Sequence, residues 1–248
     1  MYITVGMNGQ VRRKEFWLIS HRGGKEFGPE NSLQALVNAL KLGVEMVETD
    51  VRMSNDGVPF IHHSPFLGIH LLNHLDMSEI RERAPEIPTL EEFLHLAAGA
   101  CAFNIEVKRC EARILAEVIN WAQISLPLII SSFDAHFLLE FKATGSPACI
   151  GLLTQYEVDP NDAVEEALEC GADVLLPVSF STNQNLIDTA HKAGLRVVSW
   201  TVNNTGALQA MIAMGVDGAI TDCYGDLATF LKSGVLECNA GEKLLDAG

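Results

Sequence analysis

Hydrophobic residues in this chain gather in short runs that alternate with longer amphipathic stretches from residue 16 almost to the end. Short apolar runs bounded by turn residues are typical of buried strands, and the stretches between them space their apolar positions with the period of a helix. Several stretches, such as "NQNLIDTAHKAG" and "TGALQAMIAMG", finish on glycine, which commonly ends a helix. The pattern predicts nine strands, at residues 16–20, 46–53, 59–63, 102–107, 128–133, 149–154, 173–179, 196–202 and 218–222.

The second and third runs are too close together to be parallel neighbours. Only residues 54–57 separate them, whereas a parallel pair needs a crossover connection, usually a helix. Asp56-Gly57 is also a hairpin signal. We therefore expect residues 59–63 to return as a hairpin arm that extends the second strand. The other eight runs then form an α/β fold, a closed parallel (β/α)8 TIM barrel. A doubly wound open sheet is the alternative, and the regular repetition and the length favour the barrel.

The chain shows no linker rich in Pro, Gly or Ser that would divide it. We expect a single barrel domain over residues 16–235, preceded by an N-terminal segment of residues 1–15 and followed by a tail of residues 236–248. A small cap insertion at about residues 64–88 interrupts the barrel after the hairpin.

Composition and charge exclude several function classes. A chain of 248 residues with 48% hydrophobic residues has enough apolar material for a large buried core. Its formal charge of −15 argues against binding to nucleic acid or to anionic lipid surfaces. The six cysteines stand singly without a CxxC spacing, and no secretory leader or membrane-spanning run is visible. We expect a cytoplasmic protein without stable membrane association.

Charged residues cluster where the predicted strands end, which is where barrels of this kind gather their reactive side chains. Three carboxylates at one mouth would repel one another, and a divalent cation would relieve that repulsion. Oxygen ligands favour Mg²⁺ or Ca²⁺ over zinc. The alternative is that the carboxylates form ordinary ion pairs inside the barrel with Arg22, Arg52 and Lys108. The residues concerned are His21 and Arg22 after the first strand, Glu48 and Asp50 on one face of the second, and Glu106 and Lys108 on one face of the strand after the hairpin.

A phosphodiester would balance the charge of such a site. Three carboxylates, one divalent cation and the side chains of Arg22 and Lys108 leave one positive charge, which a singly charged diester neutralises. The Arg22 fork suits two phosphate oxygens, and Lys108 can act as a point charge on the third. Hydrolysis also needs a base and an acid, and histidine serves both roles near neutral pH. His21 and one of His62 and His63 could supply this pair.

Six motifs, in order from residue 16 to about residue 230, carry a family resemblance: "HRGGKEFGPENSLQAL", "VETDVRMSNDGVPFIHHSPFL", "FNIEVK", "ISSFD", "VVSWTVN" and "GVDGAITD". Together they resemble the glycerophosphodiester phosphodiesterase family. The resemblance implies a TIM barrel and metal-dependent cleavage of glycerophosphodiesters, which are small molecules, to sn-glycerol 3-phosphate and an alcohol. It also implies site residues: His21 and His63 as catalytic residues, Glu48, Asp50 and Glu106 as ligands of one divalent cation (Mg²⁺ or Ca²⁺), Arg22 and Lys108 as phosphate contacts, and Glu30 and Asn31 as their support.

The histidine pair in "PFIHHSPFL" contains one member with an expected role. Counting from Gly57 matches His63 to the family's catalytic histidine, and strand alternation puts His63 on the same face as Ile61. His62 is then a bystander. Ser64 stands where the family has an aspartate, so a carboxylate that would raise the pKa of His63 is missing.

Other aromatic and polar residues also lie near the predicted strand ends. The aromatic side chains of Phe133 and Trp200 could pack against the glycerol or a cationic alcohol, or could simply belong to the rim. His70 and His74 have the spacing of a metal pair on a helix, but an exposed cap surface is the simpler interpretation. No role is assigned to Asp222.

Two other functions remain open. A phospholipase D-like lyase acting on lysophospholipids or sphingolipids is disfavoured because no exposed apolar or basic stretch is visible. The short cap likewise suggests an open site for small water-soluble diesters. A non-catalytic metal-binding barrel is supported only by Ser64. The oligomeric state is left open.

Overall fold

Eight parallel strands close into a barrel in the computed structural model, which describes residues 2–5, 11–97, 99–124, 126–156 and 158–233. The strands of this part of the chain are β1 (Tyr2–Val5), β2 (Val11–Lys14), β3 (Trp17–Ser20), β4 (Met46–Met53), β5 (Pro59–Ile61), β6 (Phe66–Leu67), β7 (His70–Leu71), β8 (Ala102–Arg109), β9 (Leu128–Ser132), β10 (Cys149–Thr154), β11 (Val174–Pro177), β12 (Arg196–Ser199) and β13 (Gly218–Thr221).

Helices follow most of the barrel strands and cover the outside. They are α1 (Leu33–Lys41), α2 (Met77–Arg83), α3 (Leu90–Leu96), α4 (Ala112–Ala122), α5 (Ala135–Ala143), α6 (Pro160–Glu169), α7 (Gln184–Lys192), α8 (Thr205–Met214) and α9 (Tyr224–Ser233). Side chains cap the N-termini of several of these helices. Thr89 and Glu92 form a capping box at α3, and Asn183 and Asn204 cap α7 and α8. No helix in the described residues combines the length and the apolar composition that crossing a bilayer requires.

The barrel order confirms the predicted TIM barrel and its hairpin. Strands β3, β13, β12, β11, β10, β9, β8 and β4 are neighbours in that order, and a β3–β4 pairing closes the ring. Strand β5 returns antiparallel to β4, with Arg52 opposite Phe60. The hairpin arm ends at Ile61, two residues earlier than predicted. The His62 N–H still donates to the Asp50 carbonyl on β4 (3.0 Å), and the chain then turns into the cap.

Alternation along the strands divides the barrel interior into layers. A buried apolar cluster contains inward side chains from all eight barrel strands: Ile19, Met46, Ala102, Ile129, Leu153, Val174, Leu176, Val198 and Ile220. Because every second residue shares a face, the next inward positions on β3, β4, β8 and β13 are His21, Glu48, Asn104 and Asp222. The apolar layer is therefore the floor on which the polar layer at the C-terminal end of the barrel rests.

The cap after the hairpin is built from short elements. Strands β6 and β7 pair antiparallel, a 3₁₀ helix covers Leu72–His74, and α2 follows. A small apolar cluster that includes Phe60, Leu72 and Ile80 attaches the cap to the hairpin. His70 and His74 lie on different elements and are both exposed, so the helical metal pair does not form.

The ends of the chain add one feature that the sequence pattern did not predict. Residues 2–5 and 11–14 form an antiparallel pair with Tyr2 opposite Lys14, inside the expected N-terminal segment. The expected tail at residues 236–248 lies outside the described residues.

Gly218 gives a test of barrel closure. A Cβ at this position would lie 2.6 Å from the Trp17 backbone oxygen on the neighbouring strand. We expect Gly218→Ala to lower the free energy of unfolding by about 1–3 kcal/mol, because β3 and β13 would have to separate. Gly206→Ala in α8 is the matched control: its Cβ would meet only the Asn204 side chain at 3.5 Å. This control should stabilise by about 0.5–1 kcal/mol. Urea unfolding of both variants measures the difference, and equal stabilities would contradict the expected clash.

Candidate active site

Four neighbouring strands, β13, β3, β4 and β8, present charged side chains at the C-terminal end of the barrel. Glu48 and Asp50 are inward on β4, and Glu106 is inward on β8 directly beside Asp50 in the strand register. We call the mouth above these four strands the charged arc. It contains the residues that the sequence predicted for metal and phosphate binding.

The three carboxylates of Glu48, Asp50 and Glu106 converge. One oxygen of each lies within 4.8 Å of the others, and the three residues are only 1%, 1% and 8% exposed. Burial raises the pKa of Glu48 well above its ordinary value, and the charges of Asp50 and Glu106 raise it further. Burial also raises the pKa of Glu106, although Lys108 opposes this. Bringing three such groups together is costly without a compensating charge.

The residues present fit a divalent cation. The donors are all carboxylate oxygens, which hard cations prefer. Glu48 Oε1 is buried and has no hydrogen-bond partner among the described residues, so one ligand oxygen is left for an ion. The triad can therefore hold the metal that the sequence predicted.

The alternative of ordinary ion pairs holds only for Lys108. Its ammonium group pairs with Glu106 and lies 3.3 Å from Asp50 Oδ1. Arg52 instead donates from Nε and Nη2 to the His63 carbonyl, at 3.1 and 2.8 Å. The Arg22 guanidinium pairs with Glu30 at 2.9 Å on the more exposed side of the site. The remaining charge of the triad is thus not neutralised by arginine side chains.

The loop after β3 supports the triad through its backbone and through Asn31. The Arg22 N–H donates to Glu48 Oε2 (2.7 Å), and the Gly23 N–H donates to the Glu48 carbonyl (2.7 Å). Asn31 donates from Nδ2 to Asp50 Oδ2 (2.8 Å) and accepts from the Thr49 hydroxyl (2.9 Å). Arg22 and Asn31 both have positive φ angles, 50° and 57°, which turn the loop back over the carboxylates.

His21 is fixed by Asp222, a residue for which the sequence pattern predicts no role. Its Nδ1 donates to Asp222 Oδ1 at 2.6 Å, which leaves Nε2 on the side of Glu48, 3.8 Å from Oε2. Asp222 also accepts from Lys25 Nζ (3.1 Å) and Asn203 Nδ2 (3.0 Å). The hydrogen bond from His21 holds the pKa of Asp222 well below its ordinary value. The available signal was the position of Asp222 at the end of a barrel strand.

His63 and His62 are separated by the turn rather than by strand alternation, since β5 ends before both of them. His62 Nδ1 donates to the Ser64 carbonyl at 2.8 Å, which directs this ring into its own turn. His63 is half-buried, and burial lowers the pKa of its imidazole. The charge of Asp50 opposes this effect. These interactions place His63 in the electrostatic field of the charged arc.

Trp200 contacts Phe133, and Phe133 in turn contacts Lys108 of the charged arc. The two rings meet at 5.7 Å with an interplanar angle of 75°, and Lys108 Nζ lies 5.8 Å from the centroid of the Phe133 ring. Trp200 Nε1 donates to the Leu176 carbonyl at 2.9 Å, which fixes the indole.

Comparison with known proteins decides the family. The family model described as the glycerophosphoryl diester phosphodiesterase family matches residues 21–225, which include the whole charged arc. The chain belongs to this family. The resemblance carried by the six sequence motifs is therefore confirmed, and so is the class of enzyme, a glycerophosphodiester phosphodiesterase.

Individual family relatives match over nearly their full lengths. A glycerophosphodiester phosphodiesterase from Caldanaerobacter subterraneus is 27% identical over 241 residues, covering 88% of this chain and 98% of the relative. A glycerophosphodiester phosphodiesterase structure from Thermotoga maritima has a TM-score of 0.73 at 25% identity and covers 90% of this chain and 100% of its own. A phosphodiesterase from Oleispira antarctica, solved with the product sn-glycerol-3-phosphate, shares the fold with a TM-score of 0.78 at 24% identity, covering 87% and 96%. The roles of single residues in this chain stay predictions.

The Asp222 contacts predict a pH-dependent stability. Folding lowers the pKa of Asp222. The stabilisation that the ionised carboxylate contributes is therefore present above the ordinary Asp pKa, and it is lost as the pH falls through the pKa of the folded protein. We expect Asp222→Asn to destabilise by about 1 kcal/mol at neutral pH and by less at about pH 3. Urea unfolding at both pH values measures this, with the exposed Asp226→Asn on α9 as control. A penalty that is the same at both pH values would contradict the assignment.

We expect a substitution at Ser64 to change the titration of His63. A carboxylate at position 64 would stabilise the imidazolium, so Ser64→Asp should raise the pKa of His63. Histidine ring signals in an NMR titration report this value, and the same limb of the pH–rate profile should move upward. Ser64→Asn controls for size without charge. An unchanged titration and an unchanged pH–rate profile in Ser64→Asp would refute the expected electrostatic role.

Proposed function

We propose that this enzyme hydrolyses glycerophosphodiesters to sn-glycerol 3-phosphate and an alcohol, with Glu48, Asp50 and Glu106 holding one divalent cation, Mg²⁺ or Ca²⁺. The observation that carries the proposal is the buried carboxylate triad with its unpartnered Glu48 oxygen, beside a histidine that is fixed by an aspartate. When bound, the cation would supply positive charge that polarises the phosphate.

The two histidines form the acid–base pair in this proposal. Asp222 holds the His21 proton on Nδ1, so Nε2 is the nitrogen that can accept or donate a proton on the substrate side. His63 is less readily protonated than an ordinary histidine because it is partly buried. One histidine accepts the proton of the attacking hydroxyl and the other donates to the departing alkoxide. The attacking group is water or the 2-hydroxyl of the glycerol.

Two cations are positioned to bind the phosphate. Lys108 already lies against Asp50 and Glu106, and its pKa is raised by them although burial works against this, so it stays protonated. Arg22 is held by Glu30 at 2.9 Å with its Nε buried and unpartnered among the described residues, which leaves a donor for a phosphate oxygen. Asn31 supports the site through Asp50, and the Trp200 ring is available to the glycerol or alcohol group.

A non-catalytic metal-binding barrel is the second candidate, and Ser64 is the observation that favours it. The Ser64 hydroxyl accepts from the Phe66 N–H (3.0 Å), so it serves the cap turn. The intact contacts of His21 support catalysis, since a binding module has no need of an oriented imidazole.

Two broader expectations accompany the proposal. We expect residues 16–235 to act as one domain and the enzyme to work in the cytoplasm. The described cysteines are all free, which suits a reducing compartment.

Metal removal tests the triad. We expect chelator to abolish release of glycerol 3-phosphate from glycerophosphocholine, followed through glycerol 3-phosphate dehydrogenase, and Mg²⁺ or Ca²⁺ to restore it. The same cation should raise the melting temperature, because it binds only the folded triad. Glu48→Gln should remove both responses while leaving the metal-free protein at least as stable, since one repelling charge is gone. The exposed Glu45→Gln, at the opposite end of β4, is the control.

A second variant tests the acid–base role. We expect His21→Asn to lower kcat by a factor on the order of 10²–10⁴ without removing the cation-induced rise in melting temperature. Metal-dependent stabilisation without turnover in the wild-type protein would favour the non-catalytic barrel instead.

A further inference from the structure

The turn that carries His63 lies beyond the barrel sheet. Strand β5 ends at Ile61, and the His62 N–H then donates to the Asp50 carbonyl on β4 (3.0 Å). His63 is the next residue along the chain, and it is half-buried. The position of its imidazole therefore depends on the contacts that hold this turn, since no strand does so.

Arg52 on β4 binds the His63 backbone. Its Nε and Nη2 both donate to the His63 carbonyl, at 3.1 and 2.8 Å. The guanidinium is planar and presents its N–H groups in a fixed fork, so two donors on one acceptor restrict both the distance and the direction of that carbonyl. The contact joins residues 11 positions apart and ties the turn to the barrel wall. We call this contact the carbonyl clamp.

An irregularity in the barrel wall accompanies the carbonyl clamp. The register between β4 and β8 shifts after Val51: Val51 lies opposite Val107, whereas Arg52 lies opposite Arg109. One residue of β8, Lys108, is thus passed over. Bulges of this kind bend a strand and re-aim a side chain, and they are frequent next to active sites. Arg52 follows the bulge directly, which accounts for a side chain that turns to the loop after β5 while the carboxylates before it on β4 face the metal site.

Arg52 binds a neutral carbonyl although carboxylates lie nearby. Burial lowers the pKa of Arg52, and the charges of Asp50 and Glu106 oppose this effect, so both carboxylates are within electrostatic range. Arg52 forms an ion pair with neither of them in the part of the chain that the structure describes, and Lys108 pairs with both. A guanidinium needed only for its charge would pair with the triad. Its two donors instead bind the backbone of a histidine, which indicates a positional role.

The two histidines of the proposed acid–base pair are held in different ways. The ring of His21 donates to Asp222, which fixes that ring directly. The ring of His63 forms no hydrogen bond or ion pair with any residue that the structure describes, whereas its carbonyl accepts twice. His62 supports the same turn, since its Nδ1 donates to the Ser64 carbonyl at 2.8 Å. The backbone of the turn, and above all the carbonyl clamp, therefore controls where the His63 imidazole lies.

We propose that Arg52 is a positioning residue for catalysis, which holds the His63 imidazole at the substrate through the carbonyl clamp. This rests on the proposed function, in which His63 exchanges a proton with the attacking or the departing oxygen. Arg52 itself neither exchanges a proton nor binds the phosphate in this role. Proton transfer needs hydrogen-bond distance between the two heavy atoms, so a small displacement of the ring slows it strongly. The clamp therefore acts on turnover rather than on substrate or cation binding.

Replacement of the guanidinium tests the clamp. We expect Arg52→Ala to lower kcat for glycerophosphocholine by about 10²-fold, because His63 leaves its proton-transfer position, while KM is nearly unchanged. The cation-induced rise in melting temperature should remain, since it reports an intact triad. Arg52→Lys keeps the charge but loses the fork, so it should recover only part of kcat.

Chemical rescue separates position from charge. Guanidinium ion at a non-denaturing concentration should restore part of kcat in Arg52→Ala, because it can occupy the vacated space and donate to the same carbonyl. Sodium chloride at equal ionic strength should not restore it. Arg109→Ala is the matched control: Arg109 is an exposed arginine opposite Arg52 in the strand register, and its loss removes the same charge from the same rim. This control should keep the wild-type kcat with and without guanidinium.

The other outcomes each decide a claim. Wild-type kcat in a folded Arg52→Ala would overturn this inference and leave the proposed function standing. A raised KM with wild-type kcat, or loss of the cation-induced rise in melting temperature, would assign Arg52 to substrate or cation binding and reject the positioning role. If Arg52→Ala does not fold, Arg52→Lys decides, since wild-type kcat in that variant rejects the clamp. Absence of product from the wild-type protein under any metal condition would overturn the proposed function itself.

Discussion

The repulsion among three buried carboxylates is the constraint around which the rest of the site is arranged. Glu48, Asp50 and Glu106 lie inside the barrel and are almost completely buried, and Lys108 forms ion pairs with Asp50 and Glu106. Asn31 and the backbone of Arg22 donate further hydrogen bonds to the triad. These contacts position the carboxylates and cancel only part of their charge, so the triad can hold a divalent cation.

The barrel interior separates the carboxylates from its apolar core, because the polar side chains and the apolar side chains occupy different layers. A closed apolar layer with a side chain from every barrel strand lies beneath the carboxylates. The mouth above this layer differs around the ring. Charged side chains come from β13, β3, β4 and β8 or from the residues directly after them, whereas an aromatic residue follows each of the other four strands within three positions. The Phe133 ring under Lys108 is the point where the two halves meet.

The two histidines of the proposed acid–base pair depend on partners outside their own sequence motifs. His21 gains its orientation from Asp222, which comes 201 positions later in the chain. His63 gains its place from Arg52, which donates two hydrogen bonds to the His63 carbonyl rather than to a carboxylate. The Ser64 hydroxyl accepts a hydrogen bond from the Phe66 N–H, so this serine stabilises the turn that leads into the cap. The family match shows the class of enzyme, and these contacts hold the two histidines in place.

The sequence by itself determined the eight barrel strands, the hairpin and the triad, because alternation and strand ends are local patterns that fix which side chains share a face. Tertiary structure alone decided the hydrogen bond between His21 and Asp222, the contact between Phe133 and Trp200, and the separation of His70 from His74. It also ended β5 at Ile61, so His63 reaches the site through a turn and not through strand alternation. The reason is physical: these features join residues that are distant in the chain or depend on local turns. Barrel closure, which no single stretch specifies, is what brings the end of β13 beside β3 and sets four separate loops around one mouth.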